Sequence, residues 1–439
     1  MDYESIHVRI KSRWFYGLMQ VISELTGLSL EQTCHGSLLA WWTKIFDNMH
    51  CSRPASNQSI QFDYQGGYVI EPVRGLYHDL KVVDVVSLYP SMAILNNISF
   101  DTVNCHCCVN RGDAKVSSVI IDKDYWICRQ KQGAFPKKLI EFKQERIRQK
   151  QLGNEVKQLG LKILINGGYG LFGNPAFMYA DIRVAELITS FGRHTLATMR
   201  KIASNCGFKV VGGDTDSLFL DGGDQNALQS LIAQCKDIIG VDVEHAETYV
   251  KAVLTKKKHY FGVKVAGTIK AVGMEGKKND RPAWIRSAFD QFLLDFKAGV
   301  DVSVNLKATI SDLENRRVNP DLLKITVKIA KDPCDYAINN PNKKVGALLG
   351  AKAGDVIWYF KTDAGTGGVT LNPDEVGIRK YKEMLMASVK DALVIMGYGS
   401  VEKIESEIFG ITPTLTRKKA APNSSLHTAK ALSSLQSSD

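Results

Sequence analysis

Two apolar runs, Phe208-Lys209-Val210-Val211 and Ser217-Leu218-Phe219-Leu220, flank the acidic turn Gly212-Gly213-Asp214-Thr215-Asp216. Strand–turn–strand in this order puts carboxylates at the tip of a hairpin whose arms are buried. Buried aspartates cost free energy unless a cation compensates them, so the turn is a candidate Mg²⁺ site. A plain Asp/Gly hairpin turn that needs no metal is the alternative.

A second candidate carboxylate is Asp84. It ends the apolar strand Lys81-Val82-Val83 and precedes Val85-Val86-Ser87-Leu88-Tyr89-Pro90-Ser91. Alone it reads as a cap or turn residue. A two-metal centre, however, needs carboxylates from separate chain segments bridging ions about 3.5–4 Å apart. Asp84 and Asp216 meet that need if their strands are neighbours in one sheet.

Working outward, Pro136 is expected to open a basic helix, and a second helix runs back from Gly153-Asn154. On the second, Lys162, Asn166 and Tyr169 are spaced by four and three and share one face. Gly167 and Gly168 remove bulk there, which suits the approach of a flat base. Arg146 and Lys150 add two cations on the facing helix. Further on, Lys256-Lys257-Lys258-His259-Tyr260-Phe261 sets lysines beside aromatics, a pattern that suits a phosphate backbone and a sugar or base face. A charged edge strand is the plainer reading.

The net charge of +10, from 56 basic and 46 acidic residues, is concentrated in two stretches. Residues 136–162 hold eight Lys/Arg against three Asp/Glu, and residues 251–278 hold eight against one. Localised positive charge points to a polyanion such as nucleic acid. At 439 residues the chain is expected to form several subdomains. It has no run of eighteen apolar residues and no apolar signal core at its start, so a cytoplasmic protein with no membrane contact is expected.

These elements, in this order, resemble the family B DNA polymerases. Asp84-Val85-Val86-Ser87-Leu88-Tyr89-Pro90-Ser91 resembles motif A, Lys162 through Gly170 motif B, and Gly212 through Ser217 motif C. Lys257-Lys258-His259-Tyr260 resembles the primer-binding motif, and Tyr64-Gln65-Gly66-Gly67 the Tyr–Gly–Gly loop that touches template. The likeness is archaeal in flavour, with a virus or plasmid of such a host as an alternative source.

The resemblance implies a right-hand architecture: an α/β (α+β) palm, helical fingers and a mostly helical thumb. The expected layout is a helical segment over 1–50 resembling the end of an exonuclease domain, and palm over 51–135 with a Cys-rich insertion at 105–128. Fingers follow over 136–182, palm again over 183–282, thumb over 283–411 and a disordered tail over 412–439. It further implies DNA-templated addition of dNTPs to a primer 3′-OH with two Mg²⁺ ions. Asp84 and Asp216 would be the metal ligands, with Asp214 beside them. Ser87 and Leu88 would hold the triphosphate through backbone amides, and Tyr89 would stack under the sugar and exclude ribonucleotides. Arg146, Lys150, Lys162 and Asn166 would line the nucleotide pocket. Tyr64, Gly66, Gly67, Tyr169, Gly170, Lys257, Lys258 and Tyr260 would contact primer–template DNA.

The sequence departs from the family pattern at Gly167, where Ser is usual, and at Gly212, where Tyr is usual. No room for a proofreading exonuclease precedes residue 64, so 3′-end removal is not expected, unless a separate subunit supplies the missing domains. The tail holds no convincing sliding-clamp peptide. Two other functions stay open: a catalytically weak paralogue that binds primer–template as an accessory, and a nucleotide cyclase-like enzyme. Finally, Cys105, Cys107, Cys108 and Cys128 lie close in sequence with an unusual CxCC spacing. Structural Zn²⁺, free thiols and a disulfide are the three readings.

Overall fold

The computed structural model describes residues 19–24, 27, 29, 37–54, 64–365 and 367–411. The expected helix over the first residues and the expected disordered tail lie outside that set, the first through residue 18 and the second from 412. The chain divides after Met274 into two compact units.

The first unit is built on a sheet of seven strands among the described residues. In chain order it comprises helix α1 (Leu38–Asn48), strands β1 (Val69–Ile70) and β2 (Gly75–Val85), and helices α2 (Leu88–Leu95), α3 (Ala134–Gln151), α4 (Glu155–Leu171) and α5 (Ile182–Asn205). Strands β3 (Lys209–Asp214) and β4 (Ser217–Asp221), helix α6 (Gln225–Ile239) and strands β5 (Val243–Lys256), β6 (His259–Lys264) and β7 (Ile269–Val272) complete it. The strand order is β1-β3-β4-β2-β5-β6-β7, and every pairing is antiparallel.

Strand β2 lies in the middle and is covered on both faces. Val83 and Val85 join Leu218, Leu220 and Ile70 in one core. Leu80 and Val82 join Val211, Phe219, Tyr249 and Leu254 in another. A register shift against β5 between Val82 and Val83 separates the two sets. This explains why Lys81-Val82-Val83 reads as a continuous apolar run rather than an alternating one.

Helices α3 and α4 form the expected basic hairpin, but α3 begins two residues before Pro136. It has no local side-chain cap. Instead the Ala134 amide donates to Asp101 Oδ1 (3.1 Å) and the Phe135 amide to Ser99 Oγ (3.2 Å). Helix α4 runs on through Leu171, so Gly167–Gly170 is helical. Gly167 and Gly168 are close-packed against neighbouring side chains. A Cβ on Gly167 would lie 2.5 Å from Leu38, and one on Gly168 would lie 2.8 Å from Trp42. The Trp42 indole, which also donates to the Leu164 carbonyl (3.3 Å), packs with Phe46, Phe135 and Phe142.

The second unit contains α7 (Ala283–Ala298), α8 (Val302–Glu314), strand β8 (Ile325–Lys328), α9 (Pro341–Leu349), strands β9 (Val356–Lys361) and β10 (Val369–Thr370), α10 (Ile378–Ile395) and α11 (Val401–Glu407). This unit, expected to be mostly helical over 283–411, also carries strands. Ile325-Thr326-Val327-Lys328 alternates as a strand and pairs with β9 in a three-stranded sheet ordered β10-β9-β8. Its partner lies some thirty residues downstream, so no local pattern announces it. No helix among the described residues is long and apolar enough to cross a membrane.

Candidate active site

The sheet brings the two predicted metal ligands together. Strands β2 and β4 are neighbours, with Asp84 opposite Ser217. The Val85 amide donates to the Asp216 carbonyl at 2.9 Å. Asp216 sits in the two-residue turn between β3 and β4, where Thr215 takes a left-handed φ of 58°. Gly213 is needed there, because a Cβ would lie 2.6 Å from the Ser217 carbonyl oxygen and 2.9 Å from Ile70.

The electrostatics are those of a cation site. Burial, then the negative charges of Asp216 and Glu244, push the Asp84 carboxyl up to about 7. Burial raises Asp216 as well, with Asp214 adding to the shift. Asp84 Oδ1 is buried and accepts no hydrogen bond from any described residue. An orphaned carboxylate oxygen beside a second carboxylate is costly unless a cation neutralises both. These residues therefore fit a divalent ion of the hard, oxygen-seeking class such as Mg²⁺. Asp214 differs from its neighbours because Lys258 pairs with it at 3.1 Å.

Beside the carboxylates, Ser87 adopts φ 54° ahead of α2 and gives that helix no side-chain cap. Such an end leaves first-turn amides for other acceptors. Tyr89 packs on Tyr169 with ring centroids 4.2 Å apart. The contact joins α2 to the face of α4 that carries Lys162 and Asn166, both exposed. On α3, Arg146 Nε donates to Gln158 Oε1 of α4 (3.4 Å), one turn before Lys162, and Lys150 is exposed.

Tyr64 and the loop after it lean on the same place. Arg193 of α5 donates to the carbonyls of Gln65 (2.5 Å) and Gly66 (2.8 Å), and the Thr189 hydroxyl also donates to Gln65 (3.0 Å). A Cβ on Gly67 would lie 2.4 Å from the Tyr89 hydroxyl and 3.0 Å from Thr215. Tyr64 packs where a Cβ on Gly173 would lie 2.9 Å from its ring. Gly170 faces open space.

At the β5–β6 turn, Lys258 has φ 57°, and Lys257 pairs with Glu71 (3.4 Å). Tyr260 is not free: it packs edge-on against Phe219 at 5.1 Å. Cys105, Cys107, Cys108 and Cys128 come together as a separate cluster, with all four Sγ atoms within 4.8 Å of one another.

Sequence reasoning missed four contributors. Glu244 stands opposite Asp84 in the β2–β5 register, a fact no local motif carries. Arg193 and Thr189 secure the Gln65-Gly66 backbone from a helix over a hundred residues away. Lys143 sits within the basic helix with an ammonium whose pKa burial lowers, in the field of Asp242 and Lys236. A lysine spaced by four from the buried Leu139, and so on its face of the helix, was the available signal.

The chain is similar to known proteins in sequence and in fold. The DNA polymerase 1 of Sulfolobus acidocaldarius is 29% identical over 368 residues, covering 76% of this chain and 42% of that protein. A DNA polymerase of Archaeoglobus fulgidus is 33% identical over 233 residues, covering 49% of this chain and 29% of that one. The chain thus spans less than half the length of these relatives. The family B DNA polymerase structure from Pyrobaculum calidifontis superposes with a TM-score of 0.66 at 20% identity, over 88% of this chain and 54% of that one. The sequence model of DNA polymerase family B matches residues 42–359, which include every motif described above apart from the preceding Leu38 contact. The chain belongs to DNA polymerase family B.

Proposed function

We propose that this chain is a DNA-templated DNA polymerase that adds deoxynucleotides to a primer 3′-OH, with Asp84 and Asp216 as ligands of Mg²⁺. The observation that carries the reading is the pair itself: two half-buried carboxylates, one ending β2 and one in the turn before its neighbour β4, the first with a buried oxygen that no described residue satisfies. Mg²⁺ bound there lowers the pKa of the attacking hydroxyl and offsets charge on the leaving pyrophosphate.

The protein's own residues do the rest. In this reading the seven-stranded sheet is the palm, the α3–α4 hairpin the fingers and the second unit the thumb. The first-turn amides of α2 receive the triphosphate. Lys162, Arg146 and Lys150 stabilise charge spreading over the transferring phosphoryl group. Tyr89, held between Tyr169 and Gly67, presents its ring to the sugar. Lys257 and Lys258 meet the primer backbone, with Lys258 releasing Asp214 or sharing it. Tyr64, Gly66 and Gly67 follow the template strand, on a backbone secured by Arg193.

Primer extension with dNTPs and Mg²⁺ tests this. Wild type extends a primed template, and Asp84→Ala and Asp216→Ala each lose extension by about 10³-fold or more while still binding the duplex. A wild-type protein that binds primer–template but never extends it favours the accessory reading. A mismatched primer incubated without dNTPs shows in the same assay whether the protein removes 3′ ends.

A further inference from the structure

We propose that Cys105, Cys107, Cys108 and Cys128 hold one Zn²⁺ ion, which fastens the strap leading into helix α3 to the segment that follows helix α2. The sulfur geometry is the first argument. Tetrahedral zinc with Zn–S bonds of about 2.3 Å requires ligand sulfurs about 3.8 Å apart. Cys107 Sγ lies 3.5 Å from Cys105 Sγ, 3.8 Å from Cys108 Sγ and 3.5 Å from Cys128 Sγ, and Cys108 and Cys128 are 4.0 Å apart. Four sulfurs converge on one point. A disulfide would use two and leave two crowded against it, whereas free thiols packed as small hydrophobes have no reason to form a tetrahedron.

The surroundings are the second argument. Between Cys105 and Cys128 the chain has two isolated bridges, Val103↔Ile127 and Lys115↔Trp126, and short 3₁₀ turns. Its sulfur-bearing end has a small core of its own, Cys108, Ala114 and Cys128 with Cys105 and Trp126, while Ile127 is buried in the main core with Val116, Ile121 and Tyr125 against it. A staple adds most at that small core. The ligand backbone is already fixed from outside. The Trp126 indole donates to the Cys105 carbonyl at 2.8 Å. Such an outer hydrogen bond orients a ligand residue. Cys105, His106 and Cys107 line a cleft of about 950 Å³, which gives an ion a way in. All-sulfur donors select zinc or iron over the hard ions suited to Asp84 and Asp216.

The consequence follows from what Cys128 touches. Its amide donates to the Thr102 carbonyl, and its carbonyl accepts Asn97 Nδ2 at 3.0 Å. Asn97 also binds the Lys131 carbonyl (2.9 Å) and the Gly133 amide (2.8 Å). Ser99 and Asp101 then cap α3 itself. An ion on Cys128 therefore fixes the start of the helix that carries Lys143, Arg146 and Lys150.

Metal analysis of the full chain, purified without added metal, tests the proposal and does not depend on polymerase activity. About one zinc per chain is expected. Zinc is expected to be lost in Cys108→Ser and Cys128→Ser and kept in His106→Ala. Because either serine variant could fail to fold, wild type is also exchanged with Co²⁺, which is expected to give thiolate-to-cobalt absorption and the bands of a tetrahedral site. Removing the metal with a chelator is expected to lower the melting temperature, with recovery on adding Zn²⁺ but not Mg²⁺. Absence of zinc together with a cobalt spectrum lacking thiolate bands overturns the proposal. So does a red, iron-bearing protein, or a mass lowered by two hydrogens for a disulfide.

Discussion

Asp84 and Glu244 face each other in register across β2 and β5, while Asp216 crowds Asp84 from the other side. Three carboxylates therefore share one end of the sheet, and the middle one is pushed up to about 7 by burial and by its neighbours. A carboxyl whose pKa is raised on folding favours the fold while protonated, and that contribution is lost as pH rises through the folded value. In metal-free buffer the melting temperature is expected to fall between pH 6 and pH 8. Mg²⁺ should raise it more at pH 8 than at pH 6, by about 2–4 °C if about 1 kcal/mol is at stake. Glu244→Gln removes one raising charge and should flatten the profile, and Asp84→Asn should abolish its Asp84 component. Thermal scans of the three proteins with and without Mg²⁺ check this; an Mg²⁺ response as large in Asp84→Asn as in wild type would sink it.

Gly67 lies against the Tyr89 hydroxyl and the Thr215 side chain, with no space for a methyl group. Gly67→Ala must therefore displace Tyr89 or the acidic turn. Extension efficiency (kcat/KM for dNTP) is expected to fall by about 10-fold or more, since misplacement by even an ångström is costly. The closest clash is with the hydroxyl oxygen, so Gly67→Ala combined with Tyr89→Phe should recover part of the loss. Steady-state kinetics on the two single variants and the double variant read the coupling directly. Simple additivity would show that Gly67 acts elsewhere.

What the sequence disclosed follows from the range of each interaction. Asp84, Asp214 and Asp216 were legible because each ends or joins a strand whose apolar run is local. Lys162, Asn166 and Tyr169 were legible because helical spacing puts them on one face. The close packing of Gly167 and Gly168 was not legible, since it is against Leu38 and Trp42 on a helix more than a hundred residues away. Glu244 depends on strand register, and β8 depends on β9, neither of which a window of sequence can reveal.

Tyr89 is hemmed in by Tyr169 at 4.2 Å and by the Gly67 and Gly192 backbones. A ring held this tightly cannot swing aside for a 2′-hydroxyl. Tyr89→Ala is expected to raise ribonucleotide incorporation relative to deoxynucleotide by about 10²-fold, in the range a steric contact of 1–3 kcal/mol supplies. Tyr89→Phe should keep discrimination, because the ring and not the hydroxyl does the excluding. Alkali cleavage of extended products counts the ribonucleotides, and unchanged counts in Tyr89→Ala would remove Tyr89 from the sugar pocket.

Lys143 presents a conflict between stability and function. Burial lowers its pKa, with Lys236 and Arg146 adding repulsion and Asp242 opposing them. A lysine with a depressed pKa penalises the fold when charged, and the penalty fades as pH rises toward the ordinary lysine value. Lys143→Met keeps the apolar stem and removes the charge, so it is expected to stabilise the free protein at pH 7. The same change removes a cation from the helix that carries Arg146 and Lys150, which are proposed to meet the triphosphate. KM for dNTP should therefore rise by about 10-fold, with a smaller change in kcat, and Lys143→Arg should restore most of the affinity. A purely structural lysine predicts the opposite pairing: altered stability with KM unmoved. Melting curves and dNTP titrations on the same three preparations decide between them.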